Sequence, residues 1–247
     1  MMTTAARRFP WGLTVATLIA MAILVGLGVW QVRRLAWKEA LLAKIAALDV
    51  AAARPIADVL SQTGEEEFVR VQAPCAPTPT PISGPSLFRY AVRDDRIAWR
   101  LLGACRLAVG RYDGVVLDRG IIERFMGSTS PQPMSFLPAG PVVGVLRNPG
   151  VTPWLGPAVM EQGPNMIAYR VIDRPSLVQI ARAEGLSRPA PYILAVEQET
   201  PSLPGVTPAA IPKDIPNNHL VYALTWFSLA LILGWFYVSM LIRWRRS

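Results

Sequence analysis

Two long stretches without a charged residue, one near each end of the chain, most constrain how this sequence can fold. The first runs from Phe9 to Val32 and the second from Leu220 to Ile242. Because about 20 predominantly apolar residues suffice to cross the hydrocarbon core of a bilayer, each stretch is long enough for a spanning helix. The sequence therefore predicts an integral membrane protein with transmembrane helices at residues 9–32 and 220–242.

The first stretch has an alternative interpretation as a cleaved signal peptide, since Arg7 and Arg8 precede an apolar run. However, the run exceeds the roughly 7–15 residues of a signal core. It also continues into Trp30 and Gln31 without a small-residue cleavage site. We therefore expect an uncleaved anchor.

Basic residues next to the spans predict the orientation, because Lys and Arg are retained on the cytoplasmic side. Arg243, Arg245 and Arg246 follow the second span, whereas Lys213 and Asp214 before it cancel. The C-terminal residues 243–247 should therefore be cytoplasmic. Two spans place both termini on one side, so residues 1–8 should be cytoplasmic and residues 33–219 should form an extracytoplasmic domain.

Composition agrees with this class of protein and argues against others. Apolar residues make up 52% of the chain and charged residues only 17%, which is unusual for a soluble protein of 247 residues. The formal net charge of +8 indicates contact with a membrane surface, and hence membrane lipid, or with an anionic ligand. A nucleic-acid partner is not expected.

The middle of the chain is predicted to form an α+β domain rich in β-strands. The first helix should continue beyond the bilayer to about residue 53, since apolar residues keep helical spacing up to Leu48. A second helix is predicted from Arg174 to Glu184, with Asp173 as its N-cap. Short strand-like runs suggest an antiparallel sheet or partial barrel. They are Phe68–Val71, Leu87–Val92, Trp99–Val109, Val115–Asp118, Val142–Leu146, Ile167–Ile172 and Tyr192–Val196.

Cysteines and prolines add two further expectations. Cys75 and Cys105 lack metal-binding spacing, so they are either a disulfide formed in an oxidising compartment or two free thiols. Proline-dense loops are predicted from Pro74 to Pro85 and from Pro201 to Pro216. The second loop would lead the chain to the outer mouth of the second span.

His219, the sole histidine, is the main candidate for chemistry. No nucleophile triad, phosphate loop or dinucleotide fingerprint stands out, so we do not expect an enzyme. His219, Tyr222 and Trp226 fall on one helical face. Histidine here is either an interfacial side chain satisfied by water and lipid headgroups, or an axial ligand of heme iron. Arg33 and Arg34 would pair with heme propionates, or else extend to the headgroups as interfacial arginines do.

Two motifs resemble those of the surfeit-locus-one family. Residues 27–38 match its L-G-x-W-Q-x-x-R-x-x-W-K signature at the exit of the first span. Residues 217–230 match its N-N-H-x-x-Y-A-x-T-W-F-x-L-A motif at the second span. A V-N-R-G-W-like strand end is retained only in Arg119 and Gly120, with Ile121 in place of the tryptophan, which suggests a divergent bacterial member.

The resemblance implies an assembly factor for cytochrome c oxidase in the bacterial inner membrane, with its main domain periplasmic. It further implies heme a as cofactor, His219 as the ligand of the heme iron, and the oxidase catalytic subunit as partner. Contact with the heme a synthesis machinery is a further expectation. The alternative is a heme-free scaffold that docks on the oxidase through small residues in the first span, including Gly26 and Gly28.

Overall fold

The computed structural model of this chain describes residues 9–48, 50–62, 67–76, 85–134, 139–154, 156–208 and 216–246. Two compact units divide the chain: a helical unit of Met1–Lys44 with Lys213–Ser247, and a β-sheet unit of Ile45–Pro212. Lys213 and Asp214, which enter the orientation prediction, lie outside the described residues, as do Arg7 and Arg8. So do parts of both proline-dense loops.

The described residues form four α-helices and ten β-strands. The helices are α1 (Trp11–Ala47), α2 (Ile56–Leu60), α3 (Arg174–Ala183) and α4 (His219–Arg246). The strands are β1 (Arg54–Pro55), β2 (Val69–Ala73), β3 (Ser86–Arg93), β4 (Arg96–Val109), β5 (Tyr112–Ile122), β6 (Val142–Arg147), β7 (Val159–Gln162), β8 (Met166–Tyr169), β9 (Pro189–Glu199) and β10 (Val206–Thr207).

The terminal helices α1 and α4 are the two membrane helices. Each is long and apolar enough to cross a bilayer, and only 11% and 6% of their most apolar windows are buried within the protein. Large side chains such as Leu18, Ile19 and Leu231 point outward, as lipid-facing residues do. The fold is that of a membrane protein whose two transmembrane helices flank a mixed β-sheet domain.

Helix α1 passes beyond Arg33 as expected but ends at Ala47, short of the predicted residue 53. The Leu48 N–H donates to the Ile45 carbonyl (3.1 Å) in a tight turn. Both side chains are buried. The apolar spacing there reflects burial at the end of the helix rather than further helical turns.

Within the helical unit, α1 and α4 pack as an antiparallel pair. Inward-facing positions on α4 recur at alternating steps of four and three residues, the spacing of left-handed helix pairs. Small side chains form much of the contact between α1 and α4, which we call the seam, since Ala223 and Ala230 are the buried residues of α4. Contacts run in opposite order along the two helices: Thr14 with Tyr237, Met21 with Gly234, Gly28 with Phe227 and Gln31 with His219.

The β-sheet unit contains one mixed sheet with the strand order β1-β2-β6-β9-β5-β4-β3-β8-β7, and β10 pairs with β5 off this path. Three pairings among the described strands are parallel, β1 with β2, β3 with β8 and β5 with β9. An antiparallel sheet or partial barrel was expected, and these three parallel pairs make the sheet mixed instead. Alternation of apolar residues fixes which face a strand buries but carries no information on the direction of its partner.

All seven predicted strands are present, and β1, β7 and β10 are additional. The predicted helix α3 ends one residue earlier than expected, at Ala183. Asp173 caps it as predicted: its Oδ1 accepts from the Ser176 N–H at 3.0 Å.

Apolar side chains on both faces of the sheet form the core. One face packs beneath α3 through Leu177 and Ile180. A second cluster holds Cys75 and Cys105, which are buried and joined as a disulfide, so the thiol alternative is ruled out.

Candidate functional site

The predicted ligand His219 opens helix α4. The Tyr222 N–H donates to the Asn218 carbonyl (3.2 Å), so the helix begins directly after the two asparagines. The imidazole ring is partly buried on the side of α4 that faces α1. The first turn of α4 therefore presents the histidine to the neighbouring helix rather than outward.

The imidazole is oriented by Gln31 of α1. Nδ1 of His219 lies 2.7 Å from Oε1 of Gln31. Because an amide oxygen only accepts, Nδ1 donates and carries the proton of the neutral ring. Nε2 then keeps its lone pair. Histidine ligands of metals are commonly held in this way, with one ring nitrogen hydrogen-bonded and the other available to the metal.

Sequence analysis did not select Gln31, although it lies within the first motif. Gln31 is only 8% exposed, so its amide is buried among apolar side chains and needs a hydrogen-bond partner. The available signal was a single amide in an otherwise apolar span, between Trp30 and Val32. Recognising its partner required knowing that the two helices are antiparallel neighbours.

The aromatic candidates occupy different surroundings around the histidine. Ala223 is buried in the seam, whereas Tyr222 is 53% exposed and points away from α1. Trp226 is partly buried beside the seam. Of the two rings, Trp226 therefore lies closer to the side of α4 that carries His219 and faces α1.

Arg33 and Arg34 are both exposed. At 100° per residue, Arg33 lies about 200° around the helix from Gln31, and Arg34 lies about 60° from it. The Arg34 guanidinium stacks 3.8 Å from the centroid of the Trp37 ring. The structure thus brings Arg34 to the side of α1 that carries Gln31 and directs Arg33 away from it.

A third cation near this end of the helix pair is Lys38, which sequence analysis passed over. It lies seven residues after Gln31 and hence on the same face of α1. Its Nζ donates to the carbonyl of Pro216, three residues before His219. Lys38 therefore anchors the segment that leads into α4. Beside it, Oδ1 of Asn217 is buried with no hydrogen-bond partner among the described residues.

The donor set available for a metal is small. In the described part of the chain, no group of three or more His, Cys, Asp or Glu side chains is placed to hold a metal ion. A single imidazole fits a metal whose other ligands come with it, as the porphyrin nitrogens do in heme. It does not fit a protein-only zinc site.

In the β-sheet unit, Arg119 and Gly120 form the retained part of the strand-end motif. Gly120 has φ +125°, and a Cβ there would lie 2.2 Å from the Thr207 carbonyl oxygen, so no other residue fits where β10 pairs. Nε of Arg119 donates to Glu199 of β9 at 3.1 Å. Both residues are therefore explained by packing of the sheet.

Comparison with protein families decides the identity. The model of the SURF1 family matches residues 18–231, which include most of α1, the whole sheet and the N-terminal part of α4. The chain belongs to the SURF1 family. This agrees with the resemblance found from the two motifs. None of the curated proteins compared with the chain matches it significantly.

The SURF1 family is associated with cytochrome c oxidase assembly, and its members are assembly factors rather than catalytic enzymes. The matched range begins inside α1 and ends inside α4, so it covers part of each membrane helix and the sheet domain between them in sequence. Membrane localisation follows from the same two helices.

Proposed function

We propose that this SURF1 family member binds heme a through His219 and hands it to the catalytic subunit of a cytochrome c oxidase. The observation that carries the proposal is the hydrogen bond between Nδ1 of His219 and Gln31, which leaves Nε2 available as an iron ligand. Heme a is cargo in this scheme. A single protein ligand suits cargo, because fewer bonds must break on transfer.

The surroundings of His219 supply the other groups that a porphyrin needs. Trp226 offers a partly buried ring beside the histidine, and the exposed Tyr222 offers a second apolar surface. Arg34 lies on the Gln31 side of α1 and is the stronger candidate to pair with a propionate, because Arg33 points to the opposite side. We retain Arg33 as a lipid-headgroup contact.

We further propose that both termini are cytoplasmic and that the β-sheet domain is periplasmic in a bacterial inner membrane. Arg243, Arg245 and Arg246 lie in the last turn of α4, as the retention of basic residues on the cytoplasmic side predicts. The buried Cys75–Cys105 disulfide supports an oxidising compartment for the domain. In this arrangement His219 lies at the periplasmic boundary of the membrane.

A second candidate function is a heme-free scaffold that docks on the oxidase subunit, and one observation favours it. Gly26 faces open space, since a Cβ added there would meet nothing within 4 Å. It is exposed on α1, as are Ala22 and Val29. A small-residue face directed at lipid suits close packing of another transmembrane helix. Gly28, by contrast, is used within the α1–α4 pair.

The test is the heme content of the purified protein. Co-expression with enzymes of heme a synthesis, purification in mild detergent and an absorption spectrum should give a Soret band and a heme a alpha band in the wild type. His219→Ala should lose both bands, because the iron has no other histidine ligand. Thr225→Val serves as a matched control, since Thr225 is exposed on α4 and its hydroxyl contacts only its own helix.

Two results would decide against heme transfer. A wild-type protein that stays colourless in membranes rich in heme a contradicts binding. Co-purification of the oxidase subunit that His219→Ala leaves unchanged and Gly26→Leu abolishes would favour the scaffold.

A further inference from the structure

A cluster of charged side chains lies on the face of the sheet that packs against α3. Its residues all come from strands between the two membrane helices in sequence. It comprises Arg89 on β3, Arg100 on β4, Asp118 on β5 and Arg147 on β6, and we call it the arginine cluster. Arg89 and Arg100 are Cα partners in the β3–β4 pair, so their side chains share one face. Arg147 is the partner of Ile193, whose side chain belongs to the apolar cluster on that same face.

The arginine cluster contains three guanidinium groups and one carboxylate. Nε of Arg100 lies 2.8 Å from Oδ1 of Asp118, and the Arg89 guanidinium lies 3.2 Å from Oδ2. Asp118 is therefore shared by two arginines, and Arg147 has no carboxylate partner in the described part of the chain. Burial lowers the pKa of Arg89 and Asp118 opposes that shift, while the charges of Arg100 and Arg147 lower the pKa further.

Two donors of the arginine cluster, and a third on the neighbouring strand β8, lack hydrogen-bond partners among the described residues. The Nε atoms of Arg89 and Arg147 are buried and have no hydrogen-bond partner among the described residues. The same holds for the hydroxyl of Tyr169, whose residue is fully buried and is the Cα partner of Arg89 in the β3–β8 pair. An unpaired buried donor destabilises the fold, and the cost is greater when the donor is charged. All three groups can donate a hydrogen bond, so their surroundings favour a ligand rich in acceptors.

We infer that the arginine cluster is a binding site for a small oxyanion of the phosphate type. Such an anion supplies the acceptors that the two guanidinium groups and the phenol lack, and it neutralises the excess positive charge. Water would satisfy the donors but not the charge. All residues of this site belong to the β-sheet unit, whereas those of the proposed heme site belong to the helical unit.

The arginine cluster is reachable from outside the domain. The Arg89 side chain is 24% exposed although its Nε is buried, and Arg147 is also partly exposed. Asp118, in contrast, is only 4% exposed in its side chain. The acid therefore lies at the inner end and the arginines lead outward, which suits the entry of an anion from solvent.

The experiment measures phosphate binding to the full-length protein in neutral detergent. Sodium phosphate is titrated against sodium chloride of matched ionic strength, with thermal unfolding and the Nε–H signals of ¹⁵N-arginine-labelled protein as readouts. Phosphate should raise the unfolding temperature and shift the signals of Arg89 and Arg147. Arg147→Gln should weaken phosphate binding about tenfold or more, the effect of losing one charge-assisted hydrogen bond.

Two further variants keep the result interpretable. Arg147→Lys retains charge and most of the side chain, so it guards against misfolding, and it should also bind more weakly because an ammonium cannot replace the guanidinium fork. Arg174→Gln removes one charge from the exposed first position of α3 and should bind as the wild type does.

The outcomes separate free phosphate from a lipid headgroup. If nanodiscs containing phosphatidylglycerol shift the two arginine signals and phosphate does not, the oxyanion belongs to a lipid. If neither probe shifts them, water fills the site and the inference is wrong. It is equally overturned if phosphate binds Arg147→Gln, Arg147→Lys and wild type alike.

Discussion

At the scale of single residues, the Gln31 amide controls which nitrogen of His219 is free. Replacing Gln31 by Leu keeps the volume of the side chain but removes the acceptor at Nδ1. The ring then loses both its preferred tautomer and its orientation. We expect heme retention to fall about 10–100-fold without being abolished, as for other partners of metal-bound histidines.

The measurement for Gln31→Leu is the rate at which heme passes from the purified protein to an apoprotein acceptor. His219→Ala marks complete loss, and Thr17→Val is the control, since Thr17 is another buried polar residue of α1 whose hydroxyl bonds within its own helix. Equal transfer rates for Gln31→Leu and wild type would show that the amide does not orient the ligand.

Glu184, the residue after α3, makes the stability of the sheet domain depend on pH. Burial raises the pKa of its carboxyl group from 4.5 to about 7, although Arg119 and Arg106 oppose the shift. Because the folded pKa exceeds the unfolded one, the folded state holds the proton more tightly. Its stabilisation is complete below about pH 4.5 and is lost as the pH rises through about 7.

Glu184→Gln should therefore remove this pH dependence and make the domain more stable than wild type at pH 8, by up to about 3 kcal/mol. Chemical denaturation at pH 5 and pH 8 measures the effect. Asp113 and Asp173 do not interfere, because their pKa values are lowered below 3.8. Parallel pH profiles for the variant and the wild type would contradict the prediction.

At the scale of elements, Gly28 and Gly26 make a matched pair on α1. A Cβ at Gly28 would lie 2.6 Å from the Phe227 ring, whereas a Cβ at Gly26 meets nothing. Gly28→Leu should therefore separate α1 from α4, and Gly26→Leu should not. Crosslinking by a short bismaleimide between Thr14→Cys and Tyr237→Cys, introduced together in each background, reports the pairing, since the native side chains are hydrogen-bonded.

Crosslinking that is equal in the two leucine variants would show that the packing at Gly28 is dispensable. A loss in Gly26→Leu alone would indicate that the opposite face of α1 makes the contact. The native cysteines do not react in this assay, because Cys75 and Cys105 are joined to each other.

The elements that sequence predicts well are those whose signal is local. The apolar stretches give both membrane helices, alternation gives the longer strands, and Asp173 followed by Pro175 gives the start of α3. Strands β1, β7 and β10 were missed because two to four residues carry no pattern, and their pairing partners create them. Parallel pairing was missed because it depends on the path of the whole chain.

The candidate site was predictable in part for the same reason. One continuous motif contains His219, Tyr222 and Trp226, so the sequence alone was enough to place them on one helix. The partnership of Gln31 with His219 joins residues 188 positions apart, which only the register of the helix pair determines. Lys38 was not predicted as part of the site for the same reason, since its contact with Pro216 spans 178 positions of the chain.

At the scale of the whole molecule, the disulfide is the one covalent link within the sheet domain apart from the chain itself. It closes a loop with a sequence separation of 30. Loop closure of this length stabilises a fold by about 3–4 kcal/mol. The Cys75→Ser, Cys105→Ser double variant should therefore have a free energy of unfolding lower by about that amount and unfold at a lower denaturant concentration.

Wild-type protein treated with a thiol reductant is the matched comparison for the double variant and should behave in the same way. Hydrogen exchange of the sheet amides, resolved by mass spectrometry of peptides, follows unfolding of the domain apart from the helices. Unchanged unfolding after verified reduction would show that packing around the two buried residues, and not the covalent bond, holds these strands.

The position of β9 has a consequence for biosynthesis. This strand, Pro189–Glu199, lies between β5 and β6 and pairs with both. Before β9 has been synthesised, the nascent chain contains two halves of the sheet that are not joined. Each half has an open strand edge that can pair with other chains. Because β9 joins the two halves of the sheet, a premature stop codon shortly before it should cause aggregation although most strands of the domain have been made.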